Sequence, residues 1–573
     1  MPHTAAQRVP RDGLSYVRGE FAPPLSNLTV DGLLKETVAR WPEREAVVFR
    51  EQGVRWTWAQ FDAEVEALAA GLANLGLSKG DRVGIWSPNR VEWLLTQFAT
   101  ARLGVILVNI NPAYRLAEVE YALNKVACQA LVTAERFKSS DYLGMLQALA
   151  PELSEAAPAR LRSGRLPALT TVIRMGDAET PGMLGFAAVM ALGRQRIADG
   201  WRAAAVAAEL RDGEPINIQF TSGTTGQPKG ATLSHRNIVN NGRYIARAMR
   251  FSEQDRLCIP VPFYHCFGMV LAVLACVSTG AAMIFPGEAF EPGATLRAVS
   301  EERCTALHGV PTMFIAELDH PDFASFDFST LRTGIMAGSP CPIETMKRVV
   351  SAMHLDEITI AYGMTETSPV SFQSSTDDPL DKRVSTVGQI QPHLEAKIVD
   401  GAGQIVPVGE TGELCVRGYS VMHGYWGDPA RTEEAIVDGW MHTGDLATLD
   451  ADGYCNIVGR AKDMLIRGGE NVYPREIEEF LFRHPKIASV QVFGVPDEKY
   501  GEEVCAWIVL KTGAEADAEE IRAFCDGQIA HFKIPRHIRF VTEMPMTVTG
   551  KVQKFMMREA MMRELERRAV ATA

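Results

Sequence analysis

No two of the ten cysteines form a C-x-x-C pair; they stand singly at 128, 258, 266, 276, 304, 341, 415, 455, 505 and 525. That pattern is neither a disulfide framework nor a zinc site, and it suits a reducing compartment. Positive charge is also short: 58 Lys and Arg face 70 Asp and Glu, a net −12. Nucleic acid and anionic membranes favour basic surfaces, so neither is expected as a partner, although a local patch for a small anion stays open. The N-terminal MPHTAAQRVPRDGLSYVRGE has no apolar core of a secretory signal. Its arginines suit organelle import, but Pro10, Asp12 and Glu20 do not, and a cytoplasmic location is expected. A transmembrane helix needs about 20 unbroken apolar residues. FGMVLAVLACVSTGAAMIF (267–285) is uncharged, yet Ser278-Thr279-Gly280 divides it into a helix and a short strand, AAMIF.

What is present is a long chain of alternating elements. With 573 residues, 46% apolar and 22% charged, it exceeds a single core and reads as two or more ordinary globular domains. Strand-like AVVFR, RVGIWS, GVILVNIN and QALVTA alternate with helical WAQFDAEVEALAAGLANLGL and VEWLLTQFATARLG. The spacing predicts an α/β fold with mainly parallel sheets. From 380 to 460, TVGQI, EAKIVD, ELCVRG and YCNIVGR predict a small β subdomain. Beyond Pro474 a helix, two strands and another helix predict a compact α+β domain. The expected division is a loose segment over 1–25, a large domain over 26–460 and a small one over 461–573.

FTSGTTGQPKGATLSH (220–235) carries the first chemical signal. A Walker loop needs Gly before its lysine and Ser or Thr after it, whereas Pro228 and Gly230 flank Lys229. INIQF before the loop and GATL after it predict strand–loop–strand, with Ser234 capping the following helix. Backbone N–H groups, the hydroxyls of Thr221, Ser222, Thr224 and Thr225, and the charge of Lys229 suit phosphate. A solvated turn is the plain alternative. In YGMTETSP, Thr365 and Glu366 follow the strand-like EITIA, at the strand end where α/β sites form, and Glu366 suits Mg²⁺. HTGDL places Asp445 where a carboxylate can accept a ribose diol, with Arg460 in GRAKD nearby. Lys551 follows the turn Thr549-Gly550 in PMTVTGKVQK. Each of the last three is weak alone: a turn, a surface charge, a terminal lysine.

Together and in this order, the stretches resemble the adenylate-forming enzyme superfamily, from about residue 30 to 565. PINIQFTSGTTGQPKGATLSHRNIVNN, PFYHCFG, IMAGSPCP, GYWGDPARTEEA and IRGGENVYPREIEEF are most similar to its medium-chain acyl-CoA ligases. The resemblance implies ATP-dependent activation of a fatty carboxylic acid to acyl-AMP and pyrophosphate, then transfer to coenzyme A, with Mg²⁺ as cofactor. Thr221, Ser222, Gly223, Thr224, Thr225, Gly226 and Lys229 would hold the β- and γ-phosphates. Gly338, Ser339, Pro340 and Tyr362 would line the adenine site, Thr365 would meet the α-phosphate, Glu366 the magnesium, and Asp445 and Arg460 the ribose. His265 would orient the acid's carboxylate, and Lys551 would bridge it to the α-phosphate. A mobile C-terminal domain would turn about a hinge at Lys462, bringing Gly468 and Gly469 to the coenzyme A channel.

Some alternatives are weaker. Cys266 beside His265 offers a Cys–His pair, but neighbours on a strand point to opposite faces. A carrier domain is not expected after Lys551, and an inactive nucleotide-binding regulator would be expected to lack Lys551 or Glu366. The acid pocket is expected from 262–270, 308–314, 335–340 and 368–372, with Phe263, Phe267, Met269, Met313 and Met336. Such a lining suits an apolar tail better than an amino acid. Chain length is not readable, because one methylene is worth only about 1–3 kcal/mol. Short, branched, thio-substituted and aryl acids therefore stay open, as does a homodimer.

Overall fold

Branched apolar runs become buried strands here, and the amphipathic segments between them become the covering helices. The computed structural model describes residues 8–221, 227–468, 470–497, 499–547 and 550–572. Among these residues an eight-stranded sheet is parallel through Thr171–Arg174, Ala130–Thr133, Arg82–Trp86, Ile106–Asn109 and Pro215–Thr221. It then turns antiparallel at Lys229–Ser234 and Gly424–Tyr425. A nine-stranded sheet is parallel from Glu45–Phe49 through Ala282–Phe285, Arg256–Cys258, Ala306–Gly309 and Thr333–Ala337 to Glu357–Gly363. The α/β reading and its parallel sheets therefore hold.

Two expectations change. TVGQI does not belong to the β subdomain: Gln389–Ile390 pairs with Val370–Gln373 at the edge of the nine-stranded sheet, where Ile390 is buried. The first 25 residues are not loose throughout either. Tyr16–Arg18 pairs antiparallel with Leu394–Val399 in a six-stranded sheet. Val17 drives this, since its side chain is fully buried in the core beneath that sheet.

The uncharged stretch 267–285 forms helical Phe267–Leu274 and Ala275–Thr279, closed by Gly280 at φ +79°, then strand Ala282–Phe285. Among the described residues no helix is long and apolar enough to cross a membrane. Helices Val30–Arg40, Trp58–Asn74 and Val91–Leu103 share one charge. Arg102, with no exposed surface, binds Asp31 at 2.7 Å, Glu66 at 2.8 Å and Asp62. The C-terminal portion has its own five-stranded sheet and cores around Val490, Val504 and Met557. Its helix Pro474–Leu481 touches the larger part through Arg475, which donates to Ile457 O, and Glu479, which accepts from Ile343 N.

Candidate active site

Thr221 and Lys229 stand opposite each other where the antiparallel pair Pro215–Thr221 and Lys229–Ser234 opens. This is the expected strand–loop–strand, and Ser234 caps helix His235–Ala248 in a capping box with Asn237. Ser222, Gly223, Thr224, Thr225 and Gly226 lie outside the described residues. The Lys229 ammonium sits 4.9 Å from the centre of the Tyr425 ring.

Glu366 comes from the next sheet. Strand Glu357–Gly363 runs into the short turn Thr365–Thr367, which buries both Thr365 and Glu366. Glu366 Oε1 accepts from Thr221 Oγ1 at 3.1 Å and from Tyr425 Oη at 2.9 Å. Burial, and then the Glu366 charge, push the Tyr425 phenol well above its ordinary pKa, so it stays a donor. Tyr425 was not singled out from the sequence. Its signal was GYWGDP, whose Tyr joins the sheet edge opposite Ala231.

Asp445 and Arg460 face each other on strands Trp440–Leu449 and Cys455–Arg460. Arg460 Nε donates to Asp445 Oδ1 at 3.1 Å and Tyr362 Oη to Oδ2 at 2.6 Å. Gly444, at φ +70°, makes the bend that turns Asp445 toward Tyr362. Burial and the Asp445 charge raise the Tyr362 pKa, which keeps that donor protonated. Gly338, Ser339 and Pro340 form the turn just after strand Thr333–Ala337.

Lys551 reaches this site from the C-terminal portion. With His265, Phe267, Val261, Pro262, Val310 and Gly338 it lines a narrow crevice of only about 10 Å³. Burial lowers the Lys551 pKa, helped by Arg460 and opposed by Glu366, Asp445 and Cys266. His265 is held neutral: burial, and then Lys551, press its pKa down to about 3. Its Nδ1 accepts from Phe267 N at 3.1 Å, which leaves the proton on Nε2.

His265 and Cys266 are not on a strand, so the opposite-faces argument fails. They lie in a turn entering helical Phe267–Leu274. The pair is still unpaired, because Cys266 Sγ donates instead to Gln219 Oε1 at 3.2 Å. Burial lifts that thiol's pKa to about 12. Of the apolar residues expected along the acid, Phe267 borders this crevice. Phe263 packs in the core between Trp93 and Phe285, and Met336 is buried in a separate cluster. Pro262 and Val310, within the expected segments 262–270 and 308–314, line the crevice beside Phe267, as does Val261. Lys462 lies in the turn after Cys455–Arg460, next to Ala461, whose N–H donates to Gly444 O at 3.1 Å. Gly468 is elsewhere, with its N–H on Tyr500 O at 2.9 Å, and Gly469 lies outside the described residues.

Residues 34–426 match the AMP-binding enzyme family and residues 476–551 the AMP-binding enzyme C-terminal domain, the second match ending on Lys551 itself. The chain belongs to the AMP-binding enzyme family. Similarity extends well beyond these matches. The medium-chain acyl-CoA ligase ACSF2, mitochondrial, of Danio rerio is 50% identical over 565 residues, covering 97% of this chain and 92% of that protein. Among solved members of the fold, the anthranilate CoA ligase AuaEII in complex with anthranoyl-AMP superposes with a TM-score of 0.83 at 27% identity. It covers 94% of this chain and 98% of its own. ATP-bound MatB from Rhodopseudomonas palustris gives 0.79 at 29% identity, over 93% and 99%. The AMP-binding enzymes thus share this chain's two-part plan of a large α/β part and a smaller C-terminal part.

Proposed function

We propose that this AMP-binding enzyme is an AMP-forming acid–thiol ligase that converts a medium-chain carboxylic acid to acyl-AMP and then to acyl-CoA. The observation that carries the reading is Lys551, delivered by the C-terminal domain into one crevice with His265 and within electrostatic reach of Glu366 and Asp445. When a carboxylate attacks the α-phosphate of ATP two anions converge. A cation in a water-poor crevice lowers that barrier more than it would in water. Lys551 supplies the cation, and Thr365 meets the α-phosphate. Neutral His265 offers Nε2–H to the acid's carboxylate without adding charge.

The remaining residues hold the nucleotide. Lys229, with the hydroxyls and N–H groups of 221–226, grips the pyrophosphate that leaves. Asp445 and Arg460 take the ribose diol, and Tyr362 with Gly338, Ser339 and Pro340 takes the adenine. Glu366 fits Mg²⁺: it is a hard oxygen donor whose Oε1 is already fixed by Thr221 and Tyr425. When bound, the ion supplies positive charge to the phosphates. In the second step the domain beyond residue 460 turns about Lys462, withdraws Lys551 and presents Gly468-Gly469 to coenzyme A. A cytoplasmic location completes the reading; subcellular fractionation tests it against the mitochondrial location in the zebrafish relative's name.

The test is pyrophosphate release from ATP with a panel of acids, from two to eighteen carbons plus benzoate and anthranilate, with and without coenzyme A. Release peaking with medium-chain acids, and acyl-CoA formed only when the thiol is supplied, is the expected result. No acid-dependent release sinks the reading. Lys551→Ala is expected to lower adenylation by about 10²–10³-fold, the usual loss for a group that stabilises transition-state charge. Conversion of supplied acyl-AMP should continue.

A further inference from the structure

Away from the nucleotide residues, the outer face of the six-stranded sheet brings together three side chains of differing chemistry. Glu413 and Cys415 lie two apart on strand Gly412–Gly418, hence on one face, and His442 of strand Trp440–Leu449 stands directly opposite Cys415. His442 Nδ1 is 2.9 Å from Glu413 Oε2 and 3.5 Å from Cys415 Sγ, and all three atoms lie within 4.8 Å of one another. Among the described residues no other three Cys, His, Asp or Glu side chains converge in this way.

We propose that Glu413, Cys415 and His442 form a zinc site, with water as the fourth ligand. Tetrahedral Zn²⁺ with bonds of about 2.0–2.3 Å sets its nitrogen and oxygen ligands about 3.3 Å apart and its nitrogen and sulfur ligands about 3.6 Å apart. The two spacings from His442 need changes of only a few tenths of an ångström, and Glu413 Oε2 and Cys415 Sγ, within 4.8 Å of each other, close on the ion by side-chain rotation. The mixed S, N, O donor set suits this borderline-soft ion better than Mg²⁺ or Ca²⁺. One thiolate and one carboxylate also cancel its two charges. Cys415 is buried, whereas Glu413 and His442 each keep 31% of their side chain exposed, which gives the ion a path in and room for water.

A supporting shell is present as well. Gly444 N donates to Glu413 Oε1 at 3.0 Å, so the carboxylate is oriented with Oε2 left for the metal. The scattered cysteines gave no hint of this site, because its ligands come from two strands and only one of them is a cysteine.

The test is metal titration of the chelator-treated full-length protein. Co²⁺ is expected to produce a sulfur-to-metal charge-transfer band at one equivalent, and Zn²⁺ to abolish it by displacement. Cys415→Ser should remove the band. Glu413→Gln and His442→Gln, at half-exposed positions where folding is preserved, should each weaken Zn²⁺ binding at least about tenfold while melting like the metal-free parent. Absence of the band at saturating Co²⁺, its survival in Cys415→Ser, or unchanged Zn²⁺ affinity in both other variants overturns the proposal.

Discussion

Replacing Gly550 by alanine should separate the two half-reactions. Gly550 sits at φ +77° in the turn that presents Lys551, with its N–H on Thr547 O at 2.9 Å. An added Cβ would lie 2.8 Å from Val310 Cγ2 and 3.0 Å from Thr312 Oγ1, both on the large domain. Two costs follow, and they act in different states. The left-handed backbone costs an alanine about 1–2 kcal/mol wherever the turn persists. Overpacking against Val310 and Thr312 costs about 1–3 kcal/mol more, only while Lys551 is docked in the crevice. At about 1.4 kcal/mol per tenfold, the second cost alone lowers adenylation about 5- to 150-fold. ATP–pyrophosphate exchange measures that step, and formation of acyl-CoA from supplied acyl-AMP measures the other. Exchange should fall by this factor while the thioester step keeps its rate, and Val310→Ala in the same protein should recover part of the loss. Equal loss of both steps, or unimpaired exchange, would refute the reasoning.

Other outcomes follow from the same geometry. Tyr362→Phe removes a hydrogen bond to a charged acceptor, worth about 1.5–3 kcal/mol. Because Arg460 still holds Asp445, the low end applies: AMP should bind about tenfold more weakly in equilibrium titration, and unchanged AMP affinity contradicts the assignment. Arg102→Leu strands the buried Asp31 and takes one partner from Asp62, which keeps Lys35, and from Glu66, which keeps Ala203 N; urea denaturation should show a loss of about 3–5 kcal/mol, and a midpoint equal to the parent's would mean the cluster is neutral. Burial presses the pKa of His235 to about 3 and that of His308 to about 4. Unfolded, each takes up a proton below about pH 6.5, while folded it does not. Unfolding therefore binds protons as pH falls from about 6.5 toward 4, and these two groups lower stability by up to about 2.7 kcal/mol per pH unit. Denaturation midpoints that stay constant from about pH 7 to pH 5 would exclude this linkage.

Local chemistry made much of this legible in advance. Hairpin and cap around Lys229 follow from Gly230, Ser234 and Asn237, and the split helix–strand at 267–285 follows from Gly280. Strand–helix alternation likewise pointed to mainly parallel sheets, though not to their division into eight and nine strands. What escaped the reading depends on partners distant in sequence. Val17 looks like part of a polar leader until the core that buries it is assembled, and Ile390 chooses its sheet through Phe372. His265 and Cys266 resembled a strand because apolar residues surround them, whereas turn geometry sends them to Phe267 and Gln219. Tyr425 acts through Glu366, 59 residues away in sequence, and no periodicity reports such a contact.

The strand at Tyr16–Arg18 has a bearing on how the protein is made. Its partner residues, Glu395 to Lys397, are translated about 380 residues later, a delay of roughly 20–75 s at ordinary elongation rates. Throughout that time the N-terminal strand has no edge to join, and Val17 is exposed on the growing chain. The six-stranded sheet is therefore completed late, when Tyr16–Arg18 returns to residues synthesised well after most of the large domain. A nascent chain stalled before residue 394 should still leave the segment Tyr16–Arg18 open to proteases, and one extended past the small domain should not.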